Sequence, residues 1–111
     1  MNKYLPIGSI VILRESMKTI MIYGRQQFHA ETSTVYDYVA CLYPEGNIDE
    51  AHTYLFDHNQ IHEVVFTGYI NNDEKNFLFF LEEEIKELTE EINTNKMLTS
   101  QYEHYLNRDG D

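Results

Sequence analysis

Two groups of side chains in this sequence have types and spacings that could do chemistry. The first is a pair of histidines, His58 and His62, four residues apart. On one helix face they could bind one metal ion, with a third ligand from elsewhere, such as Asp57 or His52. Because most histidine pairs lack that third ligand and its supporting residues, we predict no metal site and no cofactor.

The second group is a run of glutamates in the last third of the chain: Glu82, Glu83, Glu84, Glu87, Glu90 and Glu91. Acid–base catalysis needs two carboxyl groups in different environments within a dry cleft. The polar side of an amphipathic helix instead holds its carboxylates in water, where Glu82 and Lys86 form an ordinary i,i+4 pair. There is also no glycine-rich phosphate loop and no nucleophile elbow. We therefore predict a protein that is not an enzyme.

Composition restricts the partners that the chain could bind. A length of 111 residues suits one domain, and 42% hydrophobic with 14% aromatic residues excludes general disorder. The net charge of −11 argues against nucleic acids and anionic membranes as partners. We find no signal peptide or membrane-spanning run, and the single Cys41 cannot form an internal disulfide. These features predict a cytoplasmic protein.

The elements that carry these residues change in type near Asn71. Before it, β-branched runs and turn residues predict five short strands, at residues 7–14, 19–23, 35–43, 54–56 and 64–66. Segment 26–34 is polar and is predicted to be a loop, and Pro44–Asn47 a turn. The predicted fold class is α+β, with a small curled antiparallel sheet or partial barrel of about five strands.

A long acidic amphipathic helix is predicted after the strands, starting at Asn71, Asn72 or Asp73. Its apolar residues recur at steps of four, four, three and four along one face: Phe77, Leu81, Ile85, Leu88 and Ile92. This stripe either packs on the sheet or receives a partner helix. We predict one domain over residues 1–111, with a β body at 1–70 and a helical segment at 71–107. The sequence leaves open whether residues 93–107 continue the helix.

Six short motifs in the first 70 residues resemble a known family. They are Leu-Pro-Ile-Gly-Ser-Ile-Val at 5–11, Met-Ile-Tyr-Gly-Arg at 21–25, Tyr-Asp-Tyr-Val at 36–39, Tyr-Pro-Glu-Gly-Asn at 43–47, Tyr-Leu-Phe-Asp-His at 54–58 and Phe-Thr-Gly-Tyr at 66–69. The family comprises small uncharacterised proteins encoded in type VII (ESX-like) secretion gene clusters of Gram-positive bacteria, beside toxins with an LXG targeting domain. The resemblance covers about residues 4–70 and carries over no catalytic residues.

The resemblance implies type VII substrates, their helper proteins and their antidotes as partners. The leading hypothesis is a non-enzymatic chaperone or targeting adaptor for an LXG-type toxin or another secreted substrate. One alternative is an immunity protein that neutralises a toxin domain, and another is a small-molecule or metal sensor. The candidate partner-binding residues are the helix stripe and three residues of the turn after the third strand: Tyr43, Glu45 and Asn47. Client identity and oligomeric state remain open.

Overall fold

A computed structural model describes residues 4–97 of the chain and the side chains as far as residue 86. The chain divides into two compact units, Met1–Glu74 and Lys75–Asp111. The elements, in chain order, are β1 Ile10–Leu13, β2 Thr19–His29, β3 Thr34–Leu42, β4 Thr53–Phe56, β5 Ile61–Phe66 and α1 Asn72–Met97, with short 3-10 helices at Glu50–His52 and His58–Gln60.

The five strands form one antiparallel sheet in the order β4-β3-β2-β1-β5. β4 and β5 lie at opposite edges, so the sheet is open and is not closed into a barrel. This arrangement confirms the predicted α+β class and the five antiparallel strands. The pairing of β5 with β1 joins the last strand of the sheet to the first, a long-range contact that brings both ends of the β body together.

The β2–β3 hairpin is longer than the sequence predicts. Segment 26–34 was predicted as a loop, but β2 continues to His29, which is opposite Thr34. The prediction is wrong there because the side chains of this extension are polar and lack an alternating pattern. Backbone pairing with β3 holds the extension, and the Gln27 side-chain amide donates to the Arg25 carbonyl at 2.9 Å. The register of β2 against β3 shifts between Ile22 and Gly24. A Cβ on Gly24 would overlap the Val39 side chain, so the absence of a side chain there allows the close approach of β3.

The core centres on the second half of β3. Its five residues Tyr38–Leu42 are all buried, which matches the prediction of a strand covered on both faces. Val11 of β1, Ile22 of β2 and Phe56 of β4 are also buried. Cys41 is a buried free thiol within this group, as expected from its apolar flanks.

The end of β5 is fixed to the N-terminal segment through Ser9 and Gly68. The Gly68 N–H donates to Ser9 Oγ at 3.0 Å, and the fully buried Ser9 hydroxyl donates to the Pro6 carbonyl at 2.7 Å. A Cβ at position 68 would overlap the carbonyl of Ile7. Glycine is therefore required at position 68 for close backbone approach.

The C-terminal helix begins as the sequence predicts. Asn71 Oδ1 accepts a hydrogen bond from the Glu74 N–H at 2.9 Å, the bond expected of an N-cap residue. Acidic residues Asp73 and Glu74 occupy the first turn, where they suit the positive end of the helix dipole. Predictions for residues 98–107 fall outside the described residues. No helix among the described residues combines the length and apolar character needed to cross a membrane.

Candidate functional site

An exposed apolar segment occupies the second turn of α1. It consists of Phe77–Leu81, and its side chains at Phe79 and Phe80 are 67% and 55% exposed. Phe77 is also exposed, and its ring centroid lies 6.2 Å from that of Phe80. Successive helix residues are about 100° apart around the axis, so five apolar residues in a row surround the whole circumference. The helix surface here is apolar in every direction.

Three members of the predicted stripe, Phe77, Leu81 and Ile85, are described, and they follow the spacing of one helix face. Leu81 and Ile85 are partly buried. The side chains of Leu88 and Ile92 lie outside the described residues. The structure adds three neighbours that the stripe omitted: Leu78, Phe79 and Phe80. The unbroken run Phe-Leu-Phe-Phe-Leu in the sequence could have revealed these three residues. A search for helical periodicity misses them because it selects only the residues on one face.

Acidic side chains stand next to the apolar segment. Exposed Glu82, Glu83 and Glu84 follow it directly. A partner that covers the phenylalanines therefore also meets a dense group of carboxylates.

The candidate residues of the predicted turn lie between β3 and the first 3-10 helix. Tyr43 is exposed. Both carboxylate oxygens of Glu45 accept hydrogen bonds from Lys18 Nζ at 2.9 Å, and this bond lowers the pKa of Glu45. Asn47 lies at an open cavity of about 410 Å³. Other residues that line the cavity are Tyr23, His29, Glu50, Thr53 and Leu55.

The two histidines that suggested a metal site lie in different elements. His58 is in a 3-10 turn and His62 is exposed in β5, so they do not share a helix face. His58 Nδ1 is 2.7 Å from the Tyr38 hydroxyl and forms a hydrogen bond with it. Among the side chains that the structure describes, which extend to residue 86, no group of three or more histidine, cysteine, aspartate or glutamate residues is arranged to hold a metal ion.

Tyr38 is the centre of a buried polar network that the sequence did not reveal. Its hydroxyl also accepts a hydrogen bond from the Leu5 N–H at 2.9 Å. Asp37 accepts one from the backbone N–H of His58 at 2.9 Å and another from the Tyr4 hydroxyl at 3.4 Å. The network therefore ties the N-terminal segment and the residues after β4 to the middle of β3.

Burial changes the acidity of both tyrosines in this network. Burial, with the nearby Asp37 carboxylate, raises the pKa of Tyr4 to about 12, and burial likewise raises the pKa of Tyr38. Both hydroxyls therefore keep their protons at neutral pH and act as fixed donors and acceptors. Their arrangement suits a structural role more than proton transfer.

A second buried polar contact joins β2 to the start of α1. The Arg25 guanidinium forms two hydrogen bonds with the Glu74 carboxylate, at 2.7 and 2.9 Å. Only 4% of the Arg25 side chain and 13% of the Glu74 side chain are exposed. Such a two-pronged pair fixes direction as well as distance, so Glu74 is held against β2.

Strand β5 presents a second exposed apolar surface. Three consecutive residues, Val64, Val65 and Phe66, are exposed although they belong to a strand. Tyr69 and Ile70 continue this character beyond the strand. The strand pairs with β1 on one side, and no described strand pairs with its other side.

The family model described as Domain of unknown function (DUF4176) matches residues 4–77, which is 74 of the 111 residues. The chain belongs to this family. The DUF4176 match begins at Tyr4 in the buried network and ends at Phe77 in the apolar segment, so it contains the whole sheet and the Arg25–Glu74 pair. No curated protein and no solved structure matches the chain.

Proposed function

We propose that this DUF4176 protein is a non-enzymatic, cytoplasmic accessory protein of type VII secretion. It binds an LXG-type toxin or another secreted substrate as its chaperone or targeting adaptor. The observation that carries the binding role is the apolar segment Phe77–Leu81 on α1 with its exposed residues Phe79 and Phe80. The secretion context comes from the resemblance of residues 4–70 to proteins of those gene clusters.

The exposed phenylalanines favour a protein partner because covering them removes apolar area from water, at about 25 cal/mol per Å². Large contiguous apolar surfaces on a small protein commonly mark interaction sites. A helix of this type docks by laying its apolar residues into a groove or against a partner helix. The long, acidic, amphipathic character predicted for α1 belongs to this proposal.

The acidic residues beside the segment indicate what the partner surface contains. Glu82, Glu83 and Glu84 would face lysines or arginines favourably and acidic residues unfavourably. We therefore expect an apolar partner surface bordered by basic residues. A second copy of the same helix fits poorly, because like carboxylates would meet.

An immunity protein is the second candidate, and the net charge of −11 favours it. A strongly acidic surface attracts a basic nuclease at long range and can occupy a site that normally binds phosphates. The two candidates differ in which part of a toxin they bind.

Binding to two fragments of the LXG toxin encoded beside this gene tests the proposal. Isothermal titration calorimetry with the full chain should detect binding to the N-terminal targeting fragment. Binding to the C-terminal toxin fragment alone would contradict the adaptor role and favour immunity. Binding to neither fragment would contradict both.

Two phenylalanines of similar exposure test the helix as the docking surface. Phe80→Asp should weaken binding at least tenfold, since charge would be buried in an apolar contact. Phe28→Asp, in β2, is the matched control because Phe28 is also exposed, and it should bind as the wild type does. Melting temperatures should be nearly unchanged for both variants. Equal loss in both variants would contradict a site on α1.

A further inference from the structure

The outer edge of β5 carries backbone groups that have no strand partner among the described residues. β5 spans six residues, and its ladder partner β1 lies on one side only. An edge strand exposes a row of N–H and C=O groups that can pair with another chain. Natural edges are commonly guarded by lysine, proline, bulges or very short strands.

β5 has one of these protections and lacks two others. Two register shifts interrupt its pairing with β1, but residues 60–72 contain no lysine and no proline. Val64, Val65 and Phe66 are exposed, so these side chains add little to the core of their own chain. Apolar residues at an open edge are an aggregation hazard unless something covers them.

The local charge indicates what covers this edge. The chain carries a net charge of −11, yet Glu63 is the only formally charged residue between positions 61 and 70. Two copies of the chain can therefore meet at β5 with little like-charge repulsion. The apolar segment of α1 lacks this property, because Glu82, Glu83 and Glu84 follow it directly.

We infer that β5 is a self-association site, where two copies of this chain pair antiparallel through their β5 strands about a two-fold axis near Val64. In this register Val64 lies opposite Val64 of the partner subunit. Glu63 lies opposite Val65 of the partner subunit, so like charges are not directly opposed. The two five-stranded sheets become one continuous sheet in the dimer.

Two-fold pairing also limits the proposed association to two chains. The same edge is used by both copies, so the contact is self-complementary and closes. The remaining edges of the joined sheet are the two β4 strands. Each β4 is four residues long and lies between two 3-10 helices, which limits further strand addition.

Sedimentation velocity of the full chain from low to high micromolar concentration tests the dimer. The wild type should approach twice its 13.2 kDa mass as concentration rises. Val65→Lys should stay monomeric because it places a charge at the edge. Val35→Lys is the matched control: Val35 lies in β3, away from β5, and is 48% exposed against 49% for Val65, so this variant should dimerise normally.

Amide hydrogen exchange on the wild type keeps the test decisive even if Val65→Lys does not fold. Protection of β5 amides should rise with protein concentration, while protection of β4 amides should not change. A chain that is monomeric at every concentration would overturn the proposal. A dimer that survives Val65→Lys but is lost in Phe80→Asp would also overturn it, as would β5 protection that appears only when a toxin fragment is added.

Discussion

The two edge strands of the sheet end in the same residue type but differ in what surrounds it. Phe56 ends β4 and is 1% exposed, whereas Phe66 ends β5 and is 57% exposed. The chain after β4 is anchored at once, because His58 bonds to Tyr38 and Asp37. The residues that follow β4 are thus fixed to the sheet by contacts within the same chain. The β5 edge retains apolar residues that its own core does not use, which points to a second chain.

The largest expected difference between these edges is in the truncation of their terminal phenylalanines. Phe56→Ala should lower the free energy of unfolding by about 3–5 kcal/mol, because it leaves a cavity in the core. Phe66→Ala should change it by less than about 0.5 kcal/mol. Urea denaturation should be measured in dilute solution, where the midpoint does not depend on protein concentration. Equal losses would show that β5 belongs to the core and would break the comparison.

The next largest effect concerns the ion pair that holds the start of α1. Glu74→Gln should destabilise the fold by about 3 kcal/mol, because it removes one of the two charges of the buried Arg25–Glu74 pair. Glu45→Gln is the matched control, since the Lys18–Glu45 pair is exposed. Surface pairs contribute little, so its urea midpoint should hardly move. A small effect of Glu74→Gln would contradict a stabilising role of the Arg25–Glu74 pair.

A smaller effect is expected from the hydroxyl at the centre of the buried network. Tyr38→Phe should cost about 1–3 kcal/mol because the Leu5 N–H loses its acceptor in a partly buried setting. Tyr54→Phe, on β4, is the control: no hydrogen bond within the described part of the chain uses its hydroxyl, so its stability should be close to that of wild type. Comparable losses of stability in the two variants would show that contacts other than this network anchor β4.

Local signals predicted most of the elements correctly. The apolar run Val39–Leu42 marked a strand covered on both faces, and Asn71 marked the start of the helix. The extension of β2 to His29 was missed because partners across the hairpin, and not local apolar pattern, hold its polar residues. Pairing of β5 with β1 could not be predicted either, since it depends on contacts between distant positions such as Ser9 and Gly68.

The candidate site was predicted less completely than the fold. Periodicity identified Phe77, Leu81 and Ile85, but it could not show that Phe79 and Phe80 are exposed. The partner-binding role of the stripe and of the Tyr43–Asn47 turn stays a prediction. The β5 edge was not considered at all, because an open edge is defined by which strands pair, and a single strand pattern does not contain that information.

The smallest expected effect is on the pH dependence of stability, and it compares Tyr4, which contacts β3, with Tyr69, which lies beyond β5. Burial and the nearby Asp37 raise the pKa of Tyr4 to about 12 from its ordinary value of 10.0. Between those two values the unfolded chain has lost this proton while the folded chain keeps it, so unfolding becomes more favourable as pH rises. Below pH 10 the group adds no pH dependence.

Tyr4→Phe should therefore show a shallower loss of stability above pH 10 than the wild type. Tyr69→Phe, beyond β5, is the control: Tyr69 is exposed, and this variant should keep the wild-type slope in urea denaturation followed by circular dichroism. A wild-type slope in Tyr4→Phe would show that the Tyr4 hydroxyl ionises alike in the folded and unfolded chains.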